Sequence, residues 1–173
     1  FYIMYKENKD FLKQSQIDFI EKNIMGVNFP MFLQSKSVND TDKSDSYFEH
    51  TILKRIENQR YDEAINSIHY DAIKDILDTF LKSIGEKANF YTRISINANF
   101  NNGYEHSTPH TDHNYDHKQV IIFLNDADEN AETVIGDSRI KPEKYKGICF
   151  GYENHHMIFP KSGVRYVLVA TYI

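Results

Sequence analysis

Several residue types are scarce in this 173-residue chain, and each shortage excludes a class of protein. The single cysteine, Cys149, cannot form an intramolecular disulfide, and its Gly-Ile-Cys-Phe context predicts a buried thiol on a strand. No apolar run approaches the roughly eighteen residues of a membrane-spanning helix. The sequence does not contain the basic stretch followed by an apolar one that indicates a signal peptide. We therefore expect an intracellular, cytoplasmic protein.

Positive charge is also in short supply. The chain has 20 Lys and Arg residues against 25 Asp and Glu, for a formal net charge of -5. Because nucleic-acid binding requires a basic patch, this balance argues against nucleic acid as the main partner. Tryptophan is absent, but 12 Tyr and 12 Phe suit strands and pockets. The length predicts one domain over residues 1–173.

Helical patterns precede strand patterns along the chain. One helix is predicted from Ser15 to Gly26, and a clearer one over residues 68–84 ends at Gly85. Strand patterns follow, at residues 90–100, 119–124, 132–135, 146–150 and 163–173. This order predicts an α+β protein: a double-stranded β-helix (jelly roll) with helices packed on one sheet. Its helical part would cover about residues 1–88 and its jelly-roll core about 89–173.

The strand at residues 90–100 has an apolar face and a polar face. Ile94, Ile96 and Ala98 alternate with the polar side chains of Arg93, Ser95, Asn97 and Asn99. The apolar face can pack on the helices. Because buried polar groups need partners, the polar face must meet either solvent or a hydrated cavity.

His110 and Asp112 are the first candidate metal ligands. Residues two apart point to the same side of an extended chain, and this pair directly precedes the apolar strand at 119–124. A third ligand could come from the His155–His156 pair. Two histidines and one carboxylate leave open positions on a non-haem Fe(II), whereas zinc sites usually favour three His or Cys ligands.

Arg165 is a cation in an otherwise apolar strand. A buried charge is costly unless an anion meets it, so Arg165 needs either an internal Asp or Glu or a bound carboxylate. The guanidinium fork matches a carboxylate bidentately. A metal and a carboxylate-binding Arg in one cavity predict a small acid that chelates iron.

These residues carry a resemblance to a known family. His110-Thr111-Asp112 and Arg165, together with His156 and the segments 121–125, 132–133 and 147–150, resemble the prolyl 4-hydroxylase-like 2-oxoglutarate/Fe(II) oxygenase superfamily. Upstream, residues 28–30, Gln34, 48–50 and 93–94 resemble short stand-alone oxygenases of bacteriophage and marine microbes. The resemblance spans about residues 27–173.

The resemblance implies cofactors and a ligand set. Fe(II) would be held by His110, Asp112 and His156, with no catalytic residue beyond these ligands. The co-substrates would be O2 and 2-oxoglutarate, whose far carboxylate Arg165 would bind. His156 is chosen over His155 because it lies six residues after Phe150 and nine before Arg165, as in the family, and because neighbouring strand residues face opposite ways.

Two positions depart from the family pattern. Phe123 stands where relatives often have a Tyr for the co-substrate, and Val167 where many have a small hydroxyl residue. We expect Asn97 or Tyr91 to supply the missing hydrogen bond. Asp112 is retained, which argues against the halogenase variants.

The activity implied by the resemblance is hydroxylation of an unactivated C–H, with a peptidyl proline as the first candidate. Alternatives are the same chemistry on a small metabolite or a nucleobase, and a non-enzymatic cupin-like metal-binding module. Tyr104, His106 and His113 are candidate substrate contacts. The polar loop at residues 35–46 is either a solvated connector or a lid.

Overall fold

The computed structural model describes residues 5–38, 45–58 and 64–173. In this part of the chain, the helical elements are α1 (Gln14–Phe19), which continues as a π-helix (Ile20–Ile24), a 3₁₀ turn (Ile56–Asn58) and α2 (Tyr70–Ser83). The strands in chain order are β1 (Tyr5–Asn8), β2 (Phe32–Gln34), β3 (Tyr47–Leu53), β4 (Tyr91–Phe100), β5 (Lys118–Phe123), β6 (Thr133–Ile135), β7 (Ser138–Ile140), β8 (Gly147–Phe150), β9 (His155–Met157) and β10 (Val164–Tyr172).

The strands form two antiparallel sheets. The large sheet has seven strands in the order β1-β8-β5-β10-β4-β3-β2. The small sheet has the order β7-β6-β9. An isolated bridge joins His110 to His155, so the segment before β5 extends the small sheet beyond β9.

One face of the large sheet is covered by the helices. Ile73, Ile76, Leu77, Phe80 and Leu81 of α2 are buried against apolar side chains of β4, β5 and β10. Gly85 follows the C-terminus of α2, as predicted from the sequence, and its φ of 72° lies in the left-handed region that glycine favours. Burial of each large side chain contributes about 1.5–3 kcal/mol, so this layer fixes the sheet on the helices.

The opposite face of the large sheet packs on the small sheet. A second apolar cluster contains Ile121 and Phe123 of β5, Val167 and Val169 of β10, and Ile135 and Ile140 of the small sheet. The alternation along β5 and β10 thus sends one set of side chains to the helices and the other to the space between the sheets. The candidate site lies in that space.

The α+β class and helices on one sheet agree with the sequence-based expectation. The division near residue 88 does not appear in the sheet, because β1, β2 and β3 belong to the same sheet as β4. The short strands β7 and β9 were not predicted, since three residues show no usable periodicity. Cys149 is buried on β8, as expected. Among the described helices, none is long and apolar enough to cross a membrane.

Candidate metal and co-substrate site

A cavity between the two sheets gathers most of the predicted site residues. Its wall contains polar side chains of β4, apolar side chains of β10 and a set of ionisable residues, namely Arg55, Arg93, His110, Asp112, His155, His156 and Arg165. The polar face of β4 therefore meets a cavity rather than solvent. Arg93, Ser95 and Asn99 on that face are all buried.

Asp112 is held by two arginines. Its Oδ1 accepts hydrogen bonds from Arg93 at 2.9 Å and from Arg55 at 3.1 Å, and Arg55 also donates to its main-chain oxygen at 2.5 Å. Arg93 reaches Glu49 with its second nitrogen at 3.0 Å. Burial raises the pKa of Asp112, but the nearby charged groups, of which Arg93 is the strongest, together outweigh burial and hold this pKa well below its usual range. Asp112 is thus an ionised carboxylate whose Oδ1 is already engaged.

The structure brings His155, not His156, to the pair. Paired antiparallel in the isolated bridge, His110 and His155 have ring centroids 4.8 Å apart, and Nε2 of His155 lies 3.9 Å from Oδ2 of Asp112. His156 also borders the cavity, but its ring packs against His106 at 5.2 Å. We therefore propose His155, in place of the His156 expected from family spacing, as the third ligand. Only one of the two neighbours can face the pair, and the bridge to His110 decides which.

The expected strand at His110 and Asp112 is only partly formed. His110 lies in the bridge, whereas Asp112 lies in a bend two residues later. The pair still converges, because Arg55 and Arg93 draw Asp112 to one side of the cavity.

Both imidazoles present the same nitrogen. Nδ1 of His110 lies 2.7 Å from the Thr108 oxygen, and Nδ1 of His155 lies 3.3 Å from the Glu153 oxygen. A carbonyl only accepts, so each Nδ1 carries a hydrogen, and Nε2 is the nitrogen that each neutral imidazole offers to a metal. Burial lowers the pKa of His155 to about 4, so this ring is neutral at pH 7.

The donor chemistry therefore fits a divalent metal, although the donor atoms do not yet surround a common position at coordination distance. Within residues 5–38, 45–58 and 64–173, no group of three or more His, Cys, Asp or Glu side chains could hold a metal ion as it stands. A metal would have to draw in the His and Asp side chains, which already face one another. Metal binding at this site is therefore a proposal.

Arg165 is a buried cation without an acidic partner in the described residues. It donates to Thr133 Oγ1 at 2.6 Å and to Asn99 Oδ1 at 3.4 Å, and its Nε is buried with no hydrogen-bond partner in this part of the chain. Its guanidinium carbon lies 5.2 Å from the Phe123 ring centroid. Burial lowers the pKa of Arg165 to about 10, so the group remains charged at neutral pH. An unpaired charge facing a cavity that holds polar groups indicates an anion site.

The predicted co-substrate contacts divide into one that faces the cavity and one that does not. Asn97 borders the cavity beside Val167. Tyr91 does not, because its hydroxyl donates to Asp78 of α2 at 2.8 Å. The register shift between Thr171 and Tyr172 places an extra residue, Thr92, on β4, and this bulge turns Tyr91 to the helix side. The position of Tyr91 therefore does not support the expected co-substrate contact, and we propose Asn97 for it.

The predicted substrate contacts lie apart from one another. His113 is buried outside the cavity wall, with one ring nitrogen 2.9 Å from Glu57 and the other 2.8 Å from Thr171. Both nitrogens are occupied, so it is not available to a substrate. Tyr104 is exposed on a separate surface groove, and His106 packs against His156. Of the loop at 35–46, residues 39–44 lie outside the described residues, and Ser37 borders the cavity.

Comparison with known proteins identifies the fold. No protein-family model and no curated protein matches the chain. Among solved structures, an oxidoreductase of the 2OG-Fe(II) oxygenase family from Burkholderia pseudomallei matches with a TM-score of 0.76 at 15% identity, covering 99% of this chain and 85% of that chain. The chain has the fold of the 2OG-Fe(II) oxygenases.

Other proteins with this oxygenase fold carry out different reactions. The viral collagen prolyl hydroxylase of Paramecium Bursaria Chlorella virus-1, in complex with 2OG, matches with a TM-score of 0.60 at 17% identity, over 97% of this chain and 94% of that one. A non-heme alpha ketoglutarate dependent epimerase of nogalamycin biosynthesis matches with a TM-score of 0.65 at 8% identity, over 98% and 78%. The oxygenase fold alone therefore does not determine the reaction.

Several residues of this oxygenase fold were missed as site residues by sequence reasoning. Arg55, Asn99, Thr133 and Gln119 all border the cavity. Asn99 could have been found from its alternation on β4. Arg55 carried no such signal. Thr133 lies in the segment 132–133 that resembles the family, but its contact with Arg165 depends on how a short strand meets the large sheet.

Proposed function

We propose that this protein is a 2-oxoglutarate- and Fe(II)-dependent dioxygenase, with His110, Asp112 and His155 as iron ligands. The observation that carries the proposal is a buried Arg165 without an acidic partner in the described residues, facing the same cavity as two histidines and an ionised carboxylate. The alternative of an internal salt bridge for Arg165 finds no support in the described ion pairs. A cupin-like binding module would not need a buried cation opposite its metal ligands.

Different residues would orient the carboxylate ligand and the two histidine ligands. Arg55 and Arg93 hold Oδ1 of Asp112 and leave Oδ2 on the side of His155. The main-chain oxygens of Thr108 and Glu153 fix the imidazole tautomers. When bound, iron with 2-oxoglutarate and O2 supplies an oxidant for C–H bonds, with succinate and CO2 as co-products.

Arg165 would bind the far carboxylate of 2-oxoglutarate. Thr133 on β6 supplies a hydroxyl beside this carboxylate site, and Asn97 on β4 supplies an amide that borders the same cavity, so both would replace the hydroxyls absent at Phe123 and Val167. The apolar side chains of Ile121, Val167 and Val169 line the remaining wall and keep water from the co-substrate.

The finer description of the fold follows from the same proposal. The large and small sheets would be the two halves of a double-stranded β-helix, forming one oxygenase domain over residues 1–173. In such a jelly roll a ligand lies between the sheets, which is where the cavity is.

The substrate proposed first is a peptidyl proline, because a collagen prolyl hydroxylase shares the fold. A small metabolite is the second candidate, because the fold also serves an epimerase of a biosynthetic pathway. The test is oxygen-dependent succinate formation from 2-oxoglutarate by the ferrous protein, with proline-containing peptides, free amino acids and nucleosides supplied in turn. Stimulation by peptides supports the first candidate. If no mixture yields more succinate than the metal-free protein does, the oxygenase assignment is contradicted.

A further inference from the structure

Gln119 is a buried polar side chain that the proposed ligand set does not use. It lies on β5 with an exposed fraction of 2% and faces the cavity, where the next two inward side chains of β5, Ile121 and Phe123, are apolar. Leaving part of an amide buried and unpaired costs about 1–3 kcal/mol. A cavity-facing amide in that condition therefore indicates a ligand.

The two ends of the Gln119 amide are in different situations. Its Nε2 lies 3.2 Å from Nε2 of His155, whereas its Oε1 is buried with no partner in the described part of the chain. An amide nitrogen only donates, so it faces the lone pair of His155, in agreement with the hydrogen that Nδ1 of His155 carries toward Glu153.

The same lone pair is the one that a metal needs. A metal bound to Nε2 of His155 therefore displaces the Gln119 N–H from its present acceptor. The amide then lies beside the metal with both ends unpaired, and its inward neighbours along β5, Ile121 and Phe123, are apolar. Its N–H donors need a new acceptor there, and a metal-bound oxygen of the co-substrate is an anionic one.

We propose that Gln119 is a positioning residue for 2-oxoglutarate, donating a hydrogen bond to the end of the acid that binds the metal. The inference rests on the proposed function. Arg165 would hold the other end, because it stacks on Phe123, four residues along β5 from Gln119. Four residues of extended chain span about 13 Å, and the two long side chains shorten the distance between their polar groups. Two contacts at opposite ends fix the acid in one orientation.

The test is a pair of anaerobic titrations on wild type, Gln119→Leu and Gln119→Glu. Fe(II) affinity is measured by competition with a chromophoric chelator, and 2-oxoglutarate affinity by the visible charge-transfer band of its iron complex. Gln119→Leu is expected to keep Fe(II) affinity within twofold, to lose 2-oxoglutarate affinity by at least tenfold and to shift the band. Gln119→Glu, which is nearly isosteric, is expected to lose more, because its carboxylate repels the acid. Gln14→Leu on exposed α1 is the matched control and should change neither affinity.

Three results would overturn the inference. Unchanged 2-oxoglutarate affinity and an unchanged band in both Gln119 variants would show that the amide does not reach the co-substrate. Equal losses of Fe(II) and 2-oxoglutarate affinity would show that Gln119 only supports His155. Absence of the band in wild type would remove the proposed function itself, whereas the first two results leave it standing.

Discussion

His155 and Asp112 face each other across the cavity, with Nε2 of the histidine 3.9 Å from Oδ2 of the carboxylate. The other carboxylate oxygen is engaged by Arg55 and Arg93, and the other ring nitrogen by a main-chain oxygen. Each group thus has one atom fixed by the protein and one atom turned toward its neighbour. This is the arrangement that a metal site needs before the metal arrives.

Arg93 is expected to contribute strongly to the stability of the fold. It is buried between Glu49 and Asp112, so Arg93→Met leaves the buried Asp112 and the partly buried Glu49 with fewer counter-charges. Breaking such a pair typically costs 3–5 kcal/mol, and we expect a loss of about that size in the free energy of unfolding, measured by urea denaturation. Arg139→Met, in an exposed pair with Glu132, should cost less than about 1 kcal/mol. Equal losses in the two variants would contradict this assignment.

Arg165 is expected to behave in the opposite way, although it is equally buried. Its charge has no acidic partner in the described residues, and a pKa lowered to about 10 corresponds to about 3 kcal/mol against the charged form. Arg165→Met removes that cost but leaves Thr133 and Asn99 without a donor, so ligand-free stability should change by about 1 kcal/mol or less. Affinity for 2-oxoglutarate should fall about 100-fold or more. A variant that is unfolded, or that binds the acid normally, would refute the anion site.

The hydroxyls of Thr133 and Tyr91 are expected to have different roles, the first in binding 2-oxoglutarate and the second in stability. Thr133→Val removes the 2.6 Å hydrogen bond to Arg165 and should weaken 2-oxoglutarate binding about tenfold. Tyr91→Phe removes a hydrogen bond to α2, so it should cost about 1 kcal/mol of stability and leave the affinity unchanged. Calorimetric titration of the ferrous variants with 2-oxoglutarate measures the affinities, and urea denaturation measures the stability. A loss of affinity in Tyr91→Phe would return Tyr91 to the site.

The stability of the metal-free protein is expected to depend on His155 below neutral pH. Its pKa is about 4 in the folded chain and near 6.5 unfolded, so between these values the unfolded state binds more protons. Stability is full above pH 6.5 and falls as the pH drops toward 4. Between pH 6.5 and 5 the loss should reach about 2 kcal/mol, and His155→Asn should lack this part of it. The same slope in wild type and variant would place the titrating group elsewhere.

The sequence was sufficient to predict the elements with strong periodicity. Helix α2, the alternating strand β4 and the apolar strand β5 follow from side-chain pattern, and Arg165 was recognised from its apolar surroundings. The sequence does not indicate His155 as the third ligand, because the bridge to His110 pairs distant segments and cannot be found by counting along the chain. Tyr91 failed for a related reason: a single bulge at Thr92 reverses the face of one residue without altering the pattern around it. Arg55 and Thr133 enter the site only through tertiary packing.

The ligand assignment is tested most directly by anaerobic titration of the protein with Fe(II) and 2-oxoglutarate, comparing His155→Ala with His156→Ala. We expect the visible charge-transfer band of the iron–2-oxoglutarate complex in wild type and in His156→Ala. We expect it to be lost in His155→Ala, because that variant removes a ligand. A band of full strength in His155→Ala, or no band in wild type, would contradict the account.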